Sequence, residues 1–301
     1  MVSKLKTAAK IFLVTKNWAN VWINIFLFKK PAKVIFRNGY MLSITPQTWN
    51  KFSSYASFFR HFPNGEINGT IATIKYRSRK LSFDFGMTAP GILAEFFGKH
   101  FPYKISFDVS KIRNSIIIDI GASLGDSTIW FAAHGAKKVY AFEPLMSYYK
   151  LCRSNIERND LNDVCQAIHA AIGKKGDDFF KEEGARQMLG LGAGLYDEWQ
   201  DNIPILTLDG IVEQYHIEKD AFLKLDCEGY EYDILLNAPN KTLRLFKNIM
   251  MEYHFGHETL KTKLEEAGFS VQHTDPQTGY QPNTASEFKK MRVGYIFAER
   301  S

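Results

Sequence analysis

Aspartate and glutamate are absent from the first 65 residues of this 301-residue chain, and ten Lys or Arg residues precede the first acid, Glu66. The other 28 basic residues face all 32 acids, so a net charge of +6 hides a basic, aromatic-rich N-terminal stretch on a near-neutral remainder. Cysteine is also scarce. Cys152, Cys165 and Cys227 have no metal-type spacing, which excludes a disulfide framework and a zinc signature. A reducing cytoplasm is the simplest compartment for such a chain. Ile11 to Phe28 is rich in apolar residues, but Lys16, Asn17, Asn20 and Asn24 interrupt it, which excludes a membrane-spanning helix. It has no small-residue cleavage site of the secretory type. Residues 1–30 read instead as an amphipathic helix ended by Pro31 and packed on the domain body or on a partner subunit. Peripheral contact with a membrane surface is the alternative. Nucleic acid is the less favoured partner, because no binding motif accompanies the charge.

Internal repeats and low-complexity tracts are missing as well. With 45% apolar content, the chain can bury one large core or two modest ones. Val34 to Thr45 alternates around Asn38-Gly39, a hairpin turn signal. Ile67 to Phe85 gives two strand-like stretches around Arg77-Ser78-Arg79, and Ile92 to Phe97 reads as a helix. Residues 1–110 are therefore expected to form a helix and a small strand-rich portion. Residues 111–301 change character. Strands are predicted at 116–120, 138–143, 164–170, 221–226, 247–253, 268–274 and 292–299, and helices at 126–134, 146–159, 207–215, 230–237 and 257–267. Alternation of this kind implies parallel βαβ units. No helix separates the last two strands; the polar loop Asp275–Ser286 joins them, which predicts a C-terminal antiparallel hairpin. Lys174 to Pro204 is a long polar insertion, read either as a solvated excursion or as a lid over the acceptor.

The richest stretch is Ile116-Ile117-Ile118-Asp119-Ile120-Gly121-Ala122-Ser123-Leu124-Gly125. A β-branched run ends in a glycine-framed turn and opens into a helical pattern at Asp126-Ser127. Ligands of open α/β sheets bind at such strand ends. A second run closes in Glu143, 22 residues beyond Gly121, where an acid can accept hydrogen bonds from a ribose diol. Yet the second and third glycines of a dinucleotide turn are missing, since Ser123 and Asp126 stand there. Asp119 and Asp126 would also repel a pyrophosphate. S-adenosylmethionine has no phosphate and carries cationic sulfonium and ammonium groups. It is the donor these acids suit, and backbone N–H groups at the helix start can take its carboxylate.

Methyl transfer from a sulfonium needs alignment, exclusion of water and, for a hydroxyl acceptor, a base. The next two strands end in Asp226-Cys227-Glu228-Gly229-Tyr230-Glu231 and in Glu252-Tyr253-His254. Asp226, Glu228, Glu252 and His254 are the catalytic candidates around one rim, with Asp226 or His254 as base. Glu228 has a second reading as a helix cap, and Glu252 as a partner of His254 or Lys224. These residue types could also hold a divalent ion, but nothing in the spacing fixes an octahedral set, and no metal is expected.

These residues resemble the FkbM-type methyltransferases. The resemblance rests on Asp119–Gly125, Ala141-Phe142-Glu143-Pro144, Thr207-Leu208-Asp209, Leu223–Glu231 and Met251–His254, and spans roughly residues 112–256. It implies a class I methyltransferase fold: Rossmann-like α/β with a seven-stranded, mostly parallel sheet. It also implies S-adenosylmethionine as donor and O-methylation of a hydroxyl on a sugar or secondary metabolite. Asp119, Gly121 and Gly125, with Ala122, Ser123, Asp126 and Ser127 of the same turn, would line the donor's methionine end. Glu143, beside Pro144, would hold the ribose, Ala171 would lie near adenine, and Asp226 would border the reacting methyl. Tyr230 stands where the family usually has a small residue. N-methylation, or nucleic-acid methylation through the basic N-terminus, is the alternative, lowered by the lack of an Asn/Asp-Pro-Pro-aromatic tetrapeptide. A non-enzymatic, donor-binding scaffold at a membrane surface is the second alternative.

Overall fold

A strand of isoleucines buried on both faces needs neighbours on both edges and layers above and below it. The computed structural model, which describes residues 12–86, 88–98, 107–174, 203–278 and 292–301, gives Ile116–Ile120 that position. The chain divides into two compact units, Met1–Pro102 and Tyr103–Ser301.

The N-terminal unit begins with α1 (Trp18–Trp22), which runs into a π-helical turn, Ile23–Leu27. One helix over residues 1–30 is not what forms among residues 12–30. Lys16 N–H donates to the Ile35 carbonyl at 2.8 Å, and Thr15 bridges Phe36. The Asn17 side chain accepts from Ile35 N–H at 3.0 Å and donates to the Lys33 carbonyl at 2.7 Å. An asparagine amide paired with a strand competes with helical hydrogen bonds, and here the strand wins. The expected hairpin is present as β1 (Ala32–Ile35) and β2 (Met41–Ile44), antiparallel. A helix that the alternation does not predict follows, α2 (Trp49–His61), burying Phe52, Tyr55, Phe58 and Phe59. An antiparallel sheet of β3 (Glu66–Asn68), β4 (Ile71–Tyr76) and β5 (Arg79–Asp84) and the short α3 (Ala94–Phe97) complete this unit.

The second unit alternates as predicted: β6 (Ile116–Ile120), α4 (Asp126–Ala133), β7 (Lys138–Phe142), α5 (Met146–Arg158), β8 (Cys165–Ile168), a short parallel pair of β9 (Ala171–Ile172) with β10 (Ile205–Leu206), and α6 (Leu208–Gln214). Then come β11 (Ala221–Leu225), α7 (Glu231–Asn237), α8 (Asn240–Leu243), β12 (Phe246–Tyr253), α9 (Glu258–Glu266), β13 (Ser270–His273), β14 (Gln277–Thr278) and β15 (Arg292–Glu299). The sheet order is β13-β15-β12-β11-β6-β7-β8, with β14 pairing β15. β12, β11, β6, β7 and β8 are parallel neighbours, and β15 is antiparallel to both β12 and β13. This is the class I methyltransferase fold with its terminal antiparallel hairpin. Order reverses between β6 and β11, so their carboxyl ends border the crevice in which such sheets bind ligands. The insertion read as a lid lies, for residues 175–202, outside the described residues.

Candidate active site

The turn after β6 is held from three sides. Gly121 N–H and Ala122 N–H both donate to the Phe142 carbonyl, at 3.0 and 3.1 Å. Ser123 adopts a left-handed φ of +48°, which turns its N–H onto Glu143 Oε2 at 2.9 Å. The other Glu143 oxygen accepts Leu145 N–H at 2.9 Å. The acid at the tip of β7 thus braces the turn directly. Burial pushes the Glu143 carboxyl up to about 7, against the lowering effect of those two N–H groups. Gly121 and Gly125 are required by space: an added Cβ would meet the Asp226 carbonyl oxygen at 1.8 Å and Cys152 Sγ at 3.0 Å, respectively. Pro144 accepts from the His169 ring through its carbonyl, and Ala171 is buried in β9.

Asp119 points into the protein. Its Oδ2 accepts the Ser127 and Thr128 hydroxyls, each at 2.7 Å, while Oδ1 lies 3.2 Å from Lys224 Nζ. Lys224, fully buried next to the carboxyl end of β11, also donates to the Gly121 carbonyl at 2.8 Å and lies 4.0 Å from Asp226. Burial lowers the Lys224 pKa, but Asp119 and Asp226 outweigh it and hold the ammonium above the ordinary lysine value. Sequence reasoning assigned Lys224 no role beyond pairing with Glu252; its partners are Asp119 and Asp226. The usable signal was a lysine inside an otherwise apolar strand, which demands a buried acid. Asp126, in the first turn of α4, is buried; burial raises its carboxyl to about 7, the nearby Lys224 opposing and Asp119 adding.

The second cluster lies just past β11 and β12. Asp226 N–H donates to the Ile120 carbonyl at 3.1 Å, and its side chain stays partly exposed. Glu228 takes a left-handed φ of +55° and Gly229 one of +111°, reversing the chain into α7. The cap reading of Glu228 is corrected here. Glu231 takes that place, accepting Cys227 N–H at 2.7 Å and Gly229 N–H at 3.0 Å. Glu231 is wholly buried and its Oε1 lies 3.2 Å from His254 Nδ1, while Glu228 Oε2 lies 3.4 Å from Nε2. The carboxylates facing the imidazole are thus Glu231 and Glu228, a place that one sequence-based reading assigns to Glu252. Glu252 brings a carboxylate oxygen within 4.8 Å of one on Asp226.

Charge follows from this packing. Burial alone would deprotonate His254, but Glu231, Glu228 and Asp226 reverse the effect and raise it to about 10. A titration raised that far favours the imidazolium at neutral pH and weighs against His254 as a resting base. Burial raises Asp226, with Lys224 and His254 opposing. The Glu228 side chain is 45% exposed, and its carboxyl is also held above the ordinary value, first by burial and then, against His254, by Asp226. Asp226, Glu228 and His254 place one ligand atom each within 4.8 Å of one another, a set able to hold a divalent ion.

Residues 119–273, about half of the chain, match the model of the FkbM methyltransferase domain. The chain belongs to the FkbM methyltransferase family. It is a methyltransferase that uses S-adenosylmethionine. Methyltransferase 1 of Beauveria bassiana (strain ARSEF 2860) is 24% identical to it over 221 residues, 64% of this chain and 88% of that protein. The tRNA m1G37 methyltransferase of M. jannaschii is 14% identical, with a TM-score of 0.39, covering 78% of this chain and 58% of that one. This methyltransferase thus spans a little over half the length of that structure. M. jannaschii TYW2, solved in complex with AdoMet, is 19% identical at a TM-score of 0.38, over 78% of this chain and 89% of its own. Among the described residues, no helix of this FkbM methyltransferase is long and apolar enough to cross a membrane.

Proposed function

We propose that this methyltransferase O-methylates a hydroxyl on a sugar or secondary metabolite, with Asp226 as the general base. One observation carries the reading: Asp226 presses its backbone carbonyl against Gly121 of the donor turn while its carboxyl lies in one cluster with Glu228 and His254. A single residue therefore joins the donor side to the acceptor side. The unit Tyr103–Ser301 would supply this chemistry, apart from the N-terminal unit Met1–Pro102.

The acids present suit a donor with positive charge and no phosphate. The turn Gly121–Gly125 with Asp126 and Ser127 would hold its methionine end, Glu143 and Pro144 its ribose, and Ala171 its adenine. S-adenosylmethionine supplies a methyl carbon bonded to a positively charged sulfur. Asp119 and Lys224 fix the turn from beneath. Asp226 would accept the hydroxyl proton as the acceptor oxygen takes the methyl carbon and the carbon–sulfur bond breaks, its electron pair leaving with the neutral thioether. Two opposed effects suit it to that task. Burial makes its carboxylate more basic than usual, while Lys224 and His254 keep it ionised. Glu231 and Glu228 hold His254 in place and charged, and the Glu252 carboxylate borders Asp226.

Transfer of isotopically labelled methyl groups into a cell extract tests the acceptor class. A methyl ether withstands mild alkali and ribonuclease. Label lost to alkali would mean a carboxyl ester, label lost to ribonuclease would mean RNA, and label on nitrogen would mean N-methylation. The first and third outcomes exclude a methyl ether and the second moves the acceptor from a metabolite to RNA, so each overturns the proposal.

A further inference from the structure

Independently of the acceptor, we propose that the N-terminal unit docks on an anionic bilayer surface. Apolar side chains normally leave water when a segment folds, and part of residues 12–28 does so: Val14, Val21 and Ile25 are buried in the core of this unit. The rest does not. Leu27 and Phe28 are 59% and 62% exposed, and Phe12, Leu13 and Trp18 are exposed beside them in the chain. Phe12 and Trp18 meet edge to face, with ring centroids 5.7 Å apart. Arg37 lies with its guanidinium carbon 5.8 Å from the Phe12 ring centre and donates to the Phe12 carbonyl at 3.1 Å. Phe12, Trp18 and Arg37 are held together, the arginine stem and head covering an aromatic rim, and Leu27 and Phe28 stand exposed where the helical segment that Trp18 opens comes to its end.

The charge that this stretch of sequence carries has one sign. Lys16, Lys29, Lys30, Lys33 and Arg37 are all exposed, and no acid occurs before Glu66 to neutralise them. Among the described residues, none of these five takes part in an ion pair. Exposed aromatic and leucine side chains beside unpaired lysines match the two components of interfacial binding: apolar insertion to the headgroup boundary and attraction to anionic lipid. Nucleic acid would use the lysines but give Leu27 and Phe28 nothing to enter, so the apolar half of the surface selects a lipid bilayer. No helix spans it. Such a surface would hold the enzyme against a membrane without crossing it.

The full-length protein would be sedimented with vesicles of phosphatidylcholine, and with vesicles containing phosphatidylserine. Binding that depends on phosphatidylserine and weakens with salt is expected. Replacing Lys29, Lys30 and Lys33 by glutamine should lower partitioning on the order of 100-fold. The double variant L27S/F28S, at exposed positions, should also bind less while keeping its affinity for S-adenosylmethionine. Trp18 emission should shift to shorter wavelength on binding and be quenched by brominated acyl chains, and W18F should lose that component. Equal sedimentation with and without vesicles overturns the proposal. Unchanged binding of L27S/F28S with complete loss in salt also overturns it, as that describes a surface for any polyanion. A dimer of the wild type that L27S/F28S dissociates would assign the patch to a second copy of the chain and overturn it as well.

Discussion

The carbonyl oxygen of Asp226 stands where a side chain at position 121 would begin, since a Cβ built on Gly121 would lie 1.8 Å from it. Gly121 also has a φ of +76°. Alanine there combines a strained backbone with a clash against backbone, not against a side chain able to swing away. G121A should cost about 3 kcal/mol or more and abolish donor binding. Gly39 is the control. Its φ is +92° in an open hairpin with nothing within 4 Å of an added Cβ, so G39A should cost only about 1 kcal/mol. Chemical denaturation compares the two, and equal losses would show that the close approach to Asp226 contributes nothing.

Lys224 and Asp119 form a fully buried ion pair at 3.2 Å between β11 and β6. Removing one partner leaves a bare charge in the core, so K224M should lose about 3–5 kcal/mol. D119N should lose a similar amount, and D119N/K224M less than the two singles combined. Additive losses would mean that the pair is not coupled.

The parallel frame was legible because β6, β7, β11 and β12 are apolar runs cut by turns, and periodicity reports burial directly. The N-terminal segment was not, because the break at Thr15–Asn17 depends on β1, which lies beyond any local window. α2 was missed for a related reason: Phe52, Tyr55, Phe58 and Phe59 are aromatics that suit strands, although the spacing 52, 55, 56, 59 is helical. At the candidate site, the strand tips marked Asp226, Glu228, Glu252 and His254. The protonation of His254 was hidden, because it depends on Glu231 folding back from α7 with both carboxylate oxygens turned inward. Composition cannot report that turn.

His254 should titrate near 10, well above its ordinary 6.5, because Glu231 and Glu228 outweigh its burial. Nitrogen NMR shifts of the imidazole at pH 7.5 should be those of the doubly protonated ring. In E231Q the midpoint should fall to or below the ordinary value. The sign for stability follows: a folded pKa raised above the unfolded one stabilises fully below about 6.5, and that stabilisation is lost as pH climbs through about 10. Denaturation midpoints should decline across this window in the wild type and much less in H254Q. A neutral imidazole at pH 7.5 would remove the imidazolium from the mechanism.

If Asp226 is the base, the acid limb of kcat/KM should sit above the ordinary carboxylate range, because burial raises Asp226 more than Lys224 and His254 lower it. The rate should therefore rise with pH through that limb as Asp226 ionises. D226N should reduce kcat by a factor on the order of 10² to 10⁴, with donor affinity changed far less. E228Q removes a half-exposed partner of His254 and should act mainly by shifting the imidazole titration, leaving most of kcat in place. Isothermal titration with S-adenosylhomocysteine separates donor binding from chemistry in both variants. Full turnover in D226N, or loss of the acid limb in E228Q alone, would move the base from Asp226 to Glu228.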